Sequence, residues 1–304
     1  MDLNRAVRLA AGVFVFLLVA FGAFYYIDRY VSTGDISPLD MSIEELEEAV
    51  RSDPSDPEAR LALAEVYIAD SRYEEALSQA SEVLEEFPEN EPALLVSGVA
   101  HEASNQPEAA IAVLEVFVDL RKDTEMAHVD TTLEAAYFYL GRSYLAVGRA
   151  QEAADVLDSA LAISPGDADA MHQAGLAHQA LGDHDAALLY FERATTFVPD
   201  FTEVYIAMAI GYENQGSPER LRYARAMQLY SAGEHQAALP ELLDVSEALP
   251  DFAPAELGLA LVYEQLGDLI AGTEAAERAL DLRPDYLAAE QTLGRILQQR
   301  ESSG

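Results

Sequence analysis

The chain has 304 residues, half of them hydrophobic, with 18 basic against 54 acidic side chains and a net charge of −36. Such a surface repels phosphate-rich polymers and anionic lipid over most of its extent, which argues against nucleic-acid partners. No cysteine is present, which removes disulfides, thiolate metal sites and thiol nucleophiles.

Leu9 to Ile27 is an uncharged apolar run of 19 residues. As a helix it reaches about 28 Å, close to the thickness of a bilayer core and longer than a signal-peptide core. It ends in Phe24, Tyr25 and Tyr26, aromatic residues of the kind that sit at a membrane interface. Arg5 and Arg8 precede the run, while Asp28, Arg29 and Asp35 follow it. Length and the aromatic end favour a retained signal anchor over a signal cleaved at Ala20-Phe21-Gly22, and the charge bias predicts residues 1–8 in the cytoplasm and everything after Tyr30 in a periplasmic or extracellular compartment. Residues 28–41 contain Gly34 and Pro38 and read as a linker.

Ser42 followed by Glu45 has the form of a capping box opening a leading helix within 42–56. From there a proline acts as a ruler. Pro54 and Pro88 are 34 residues apart, as are Pro165 and Pro199, and Pro250 and Pro284. Lys122, the only lysine, fills the one missing slot. Twelve positions before each mark stand Ala76, Ala110, Ala153, Ala187, Ala238 and Gly272; twenty-four before it stand Ala64, Gly98, Gly141, Gly175, Ala226 and Ala260. Small residues at fixed offsets in paired amphipathic segments predict close-packed helix hairpins, each ended by the proline.

Unit three carries Tyr137, Leu140, Gly141, Tyr144, Gly148, Ala153, Ala160 and Pro165, and unit four Ala174, Gly175, Gly182, Ala187, Phe191, Ala194 and Pro199. On these residues the chain resembles the tetratricopeptide repeat family over roughly Ser42 to Arg300. The resemblance implies an all-α, right-handed superhelical solenoid of helix hairpins, here preceded by one N-terminal transmembrane helix. The units run about 57–90, 91–124, 134–167, 168–201, 219–252 and 253–286, with a capping helix at 287–300. Two intervals depart from the ruler. Lys122 to Pro165 is nine residues too long, around 125–130, and Pro199 to Pro250 is longer by half a repeat, leaving an unpaired helix at 202–216.

In such arrays the concave face is lined by positions five, nine and twelve of each first helix. Carried over, these positions make Phe138, Arg142, Ile206, Ile210, Tyr223, Met227, Tyr230, Leu257 and Leu261 the candidate partner-binding residues. Leu95, Val99, Glu102, Leu145, His172, Leu176, Gln179, Glu213 and Glu264 occupy equivalent slots. Arg220 joins the candidates because Arg220, Arg222 and Arg225 make a basic island beside Tyr223 and Tyr230, and positions four and seven there are normally apolar; the alternative is that the helix is rotated and these arginines pair with Glu219, Glu241 or neighbouring acids. The lysine and asparagine clamp with which some family members hold a C-terminal carboxylate has no counterpart.

No glycine-rich phosphate loop, nucleophile elbow or zinc-binding histidine motif is present. His172, His178 and His184 are spaced by six and do not share a helix face. The expectation is therefore a non-enzymatic scaffold with no cofactor and no metal. It would be tethered by its N-terminal helix and grip a protein or peptide, preferably an amphipathic or basic segment, during assembly or maturation of an envelope complex. The layout of anchor, linker and repeats also resembles the membrane-bound tetratricopeptide subunits of bacterial cytochrome c maturation, which present apocytochrome. A regulatory subunit of an enzyme complex is the remaining alternative.

Overall fold

The computed structural model describes residues 38–303, so the expected tail, membrane helix at 9–27 and most of the linker lie outside the described residues. Among the described residues there are fifteen α helices and one turn of 3-10 helix, and no strand. No described helix is long and apolar enough to cross a membrane. The helices form two compact units that meet in sequence at Pro88 and Glu89.

The first unit holds α1 (Pro38–Ser52), α2 (Pro57–Ala69) and α3 (Tyr73–Glu86). The second opens with the pairs α4 (Glu91–Ala103) with α5 (Pro107–Arg121), α6 (Thr131–Ala146) with α7 (Ala150–Ile163), and α8 (Ala168–Ala180) with α9 (His184–Phe197). It continues through α10 (Thr202–Asn214) to α11 (Pro218–Ser231) with α12 (His235–Ala248) and α13 (Ala253–Leu266) with α14 (Leu269–Leu282), then closes on α15 (Leu287–Ser303).

The proline ruler is the punctuation of this arrangement. Pro54, Pro88, Pro165, Pro199, Pro250 and Pro284 each stand two residues beyond the end of a helix, because the residue before a proline is pushed out of the helical region. Where Lys122 replaces proline, α5 runs one residue further, to Arg121. Helix starts are fixed by side chains that accept from free backbone N–H groups: Asp56, Asn90, Asp130, Asp167, Asp183 and Asp268. Each such cap is worth about 1 kcal/mol.

Two boundaries, at the start of α1 and the end of α15, differ from the sequence expectation. α1 begins at Pro38, ahead of the capping box at Ser42, since a proline in the first turn loses no intrahelical hydrogen bond. The nine extra residues before the third pair fold as a loop with a 3-10 turn, Ala127–Val129. Arg121 ties that loop down: its guanidinium donates to Asp130 Oδ2 and to Glu91 Oε2, both at 2.7 Å. Burial of Asp130 opposes its charge, but hydrogen bonds from the Leu133 and Thr132 backbones and from Arg121 hold its carboxyl below the usual range. α15 runs three residues past its expected end.

Within a pair the helices approach until one backbone lies against the other's side chain. A methyl group added at Gly98 would sit 2.3 Å from Leu114, at Gly141 2.5 Å from Leu157, and at Gly175 2.3 Å from Phe191. These partners are themselves buried, as are Ala110, Ala153 and Ala187 at the matching positions of the second helices. Between pairs, a tyrosine of the first helix donates to a carboxylate earlier in the chain: Tyr144 to Glu115 at 2.6 Å, and Tyr67 to Glu47 at 2.8 Å in the first unit. Arg149 and Arg72 lie 4.3 Å above those rings, a cation–π contact repeated at the same register. Burial first, then Glu115, pushes the Tyr144 phenol up to about 12.

Gly175→Ala is therefore expected to destabilise the second unit by about 2 kcal/mol, since Phe191 has no room to retreat. Gly294, exposed in α15, has nothing within 4 Å of the added carbon, so Gly294→Ala should stabilise by about 0.5–1 kcal/mol. Urea unfolding midpoints of the two variants should move in opposite directions; a shared direction contradicts the packing described.

Candidate protein-binding surface

The first helices of the second unit adjoin one another in order, α4 beside α6, α6 beside α8, α8 beside α10. Their buried sides face the second helices, as α8 shows: Ala174 and Gly175 pack inward, and Leu176 and Gln179 are left half-buried on the opposite side. Leu95, Val99 and Glu102 on α4 are half-buried in the same way, as are Phe138, Arg142 and Leu145 on α6. On α10 the strip is more open: Ile206 is 49% and Ile210 48% exposed, between the exposed Glu203 and Glu213 on the same helix face. Gln179 Nε2 donates to the Ala207 carbonyl at 3.2 Å, which stitches α8 to α10 beside this strip.

Four of the candidate residues, Phe138, Arg142, Ile206 and Ile210, thus lie on one accessible face. Arg142 is engaged: it reaches Glu102 at 2.9 Å and lies 5.7 Å over the Phe138 ring. Burial raises the Glu102 carboxyl, and Arg142 offsets part of that rise.

Five candidates are not available to a partner. Tyr223 is 3% and Leu261 1% exposed, and Met227, Tyr230 and Leu257 are buried as well. Their inner face is filled by the chain itself. Tyr223 meets Tyr205 edge-on at 6.3 Å and Phe252 at 5.1 Å. Arg283, just beyond α14, reaches back to Glu192 on α9 at 3.4 Å and covers Tyr286 at 4.5 Å. Tyr205, Tyr212 and Tyr286 are buried with them. Burial pushes the phenols of Tyr205 and Tyr223 well above their ordinary range, and Tyr286 beside them adds to the shift. Glu264, expected in the groove, is buried beneath Arg295 of α15, which grips it at 3.1 and 2.9 Å.

The basic island divides in the same way. Arg222 and Arg225 are exposed, because α11 buries Tyr223, Met227 and Tyr230 in place of the expected positions four and seven. That amounts to a rotation of about 100°, one residue of helix. Arg222 pairs with Glu241 at 3.3 Å and Asp244 at 3.0 Å, and Arg220 lies over Phe252 at 5.4 Å. Sequence reasoning missed the filling of the inner face. Its one local signal is the density of tyrosine at 205, 212, 223, 230 and 286. The Arg283–Glu192 pair spans 91 residues and has no local signal.

His172 and His178 pack against aromatic rings. His172 packs on Phe201 at 5.2 Å, and burial lowers its basicity. His178 stacks on Tyr190 at 5.2 Å. Among the described residues no group of three His, Asp or Glu side chains converges as a metal site.

Tetratricopeptide repeat models match residues 39–92, 67–129, 144–211 and 257–286. No curated protein matches the chain by sequence. Among solved structures, a crystal structure of MamA aligns at 26% identity with a TM-score of 0.50, over 57% of this chain and 95% of that one. A second MamA structure aligns at 23% identity and a TM-score of 0.52, over 60% and 94%.

Two measurements follow from the charged groups. Glu134 at the start of α6 faces Asp167; burial, then a shared hydrogen bond and repulsion with Asp167, raise its carboxyl to about 7. An unfolded glutamate titrates near 4.3. The folded state therefore holds an extra proton between these values, and the stability linked to Glu134 is full below about 4.3 and lost as pH rises through about 7. Glu134→Gln should become progressively more stable than the parent across that window, and a difference independent of pH would contradict the pair. Arg295→Ala strands Glu264 and should cost about 2 kcal/mol by urea unfolding, below the 3–5 kcal/mol of a fully buried pair because the arginine is half exposed.

Proposed function

Because the chain belongs to the tetratricopeptide repeat family, we propose that it is a scaffold that holds a protein segment along the open face of α4, α6, α8 and α10. The reading places it on a membrane through Leu9–Ile27, with the repeats on the non-cytoplasmic side, where it assists assembly or maturation of an envelope complex. The observation that carries the binding surface is the pair Ile206 and Ile210, two large aliphatic side chains one turn apart and half exposed to water. Monomer surfaces seldom leave such neighbours bare unless something covers them. Flanked by Glu203 and Glu213, they suit an amphipathic segment with apolar residues at helical spacing and basic residues at its margins. Family membership favours a binding role without catalysis.

A photo-crosslinking residue at 206 or 210 in cells should trap one discrete partner, while the same residue at 270 should not. Ile270 is 65% exposed on α14 and serves as the control. Ile206→Glu together with Ile210→Glu should reduce recovery of that partner by about tenfold or more, a loss of at least about 1.4 kcal/mol. Equal trapping at 270 removes the groove assignment. Protease accessibility of residues beyond 40 in intact spheroplasts tests the topology separately; protection there contradicts it.

A further inference from the structure

The half-repeat slip opens a second surface on the outer side of α11 and α12. In the regular pairs each new first helix packs on the second helix before it: α6 on α5, α8 on α7, α10 on α9. α10 is followed by no second helix of its own. α11 packs directly on α10 and starts a new pair with α12, and α13 follows on one side of that pair. The side used by α13 is marked by Gly258, whose added carbon would meet Met227 at 2.9 Å and Leu242 at 3.1 Å.

Leu221, Arg225 and Leu229 form a row at successive turns of α11, about 200–240° around the helix from Met227. This row, with Pro218, Ala237 and Glu241, lines a recess of about 570 Å³. Solenoid ends normally carry a polar capping helix. Here the new stack starts with leucines and arginines.

We propose that this recess docks an acidic amphipathic helix from a partner protein. The charge selects the occupant. In a chain of net charge −36, Arg220, Arg222 and Arg225 stand within six positions. Arg222 is held by Glu241 and Asp244, whereas Arg225 forms no ion pair with a described residue. An apolar stripe seated on Leu221 and Leu229 brings its flanking side chains over Arg225. A carboxylate there gains a desolvated partner, and a lysine is repelled.

The probe is a stapled helical peptide of about 20 residues, long enough to hold its helix, with leucines on one face and glutamates beside them, labelled with fluorescein. It is titrated with the full chain in nanodiscs and followed by anisotropy. Binding that falls about tenfold or more in Arg225→Glu and in Leu229→Asp, and that is lost when the glutamates become lysines, supports the proposal. Equal binding of the two peptides, no response to either substitution, or no binding of the acidic peptide overturns it. A peptide-free dimer that Leu229→Asp dissociates also overturns it, because the occupant is then a second copy. Both substituted positions are solvent-facing or half-buried, and an unchanged urea midpoint separates lost docking from lost folding.

Discussion

The distance between paired helices is set by a backbone meeting a side chain, and the rest of the fold follows from it. At Gly98, Gly141 and Gly175 the missing Cβ lets Leu114, Leu157 and Phe191 rest on the opposing main chain. Two helices that close cannot slide or rotate without a clash, so the phase of every other position on them is fixed. That phase sends Leu176 and Gln179 to one side of α8 while Ala174 and Gly175 go to the other. Each helix has only about four turns and is marginal alone. Within each unit the helices are stable because neighbours lend one another their apolar sides.

The slip after α9 changes which surfaces are covered. α10 carries Tyr205, Met208 and Tyr212 where a second helix of its own would lie, and large aromatic side chains left bare there would expose extensive apolar area. The inner face of α11, together with Tyr286, covers them, through Tyr223 against Tyr205 and through Arg283 drawn onto Glu192. A groove cannot both cover α10 and hold a partner. The open strip therefore stops at Ile206 and Ile210, on the face of α10 that no later helix reaches.

The repeat architecture was legible in the sequence because its causes are local. A proline two residues past a helix, a glycine opposite a leucine sixteen positions on, and an aspartate at a helix start each act within one hairpin. The exposure of the candidate residues was legible only as far as the array stays regular. Phe138, Arg142, Ile206 and Ile210 keep the orientation that their register implies. Tyr223, Met227 and Tyr230 do not, because their exposure depends on contacts with a segment some 20 to 60 residues away, which no periodicity encodes. The arginines at 222 and 225 did carry that information. A guanidinium in a slot that should be buried means that the helix has turned, and α11 is rotated by one residue.

Rotation and exposure of α11 are two results of the same half-repeat slip. Removing a single second helix leaves two unsatisfied faces, one on the first helix that lost its partner and one on the next pair that lost its support. The chain has inner-face tyrosines enough to fill the first. Filling it turns the buried arc of α11 toward Tyr205, which carries the row Leu221, Arg225 and Leu229 to the opposite side. The second face is then uncovered as a geometric consequence of covering the first. Its cationic character has a separate cause: an arginine tolerates half-exposed surface by laying its methylenes on apolar neighbours with its charge in water. The half-repeat slip thus leaves two surfaces of different charge, a strip edged by glutamates on α10 and a recess edged by arginines on α11.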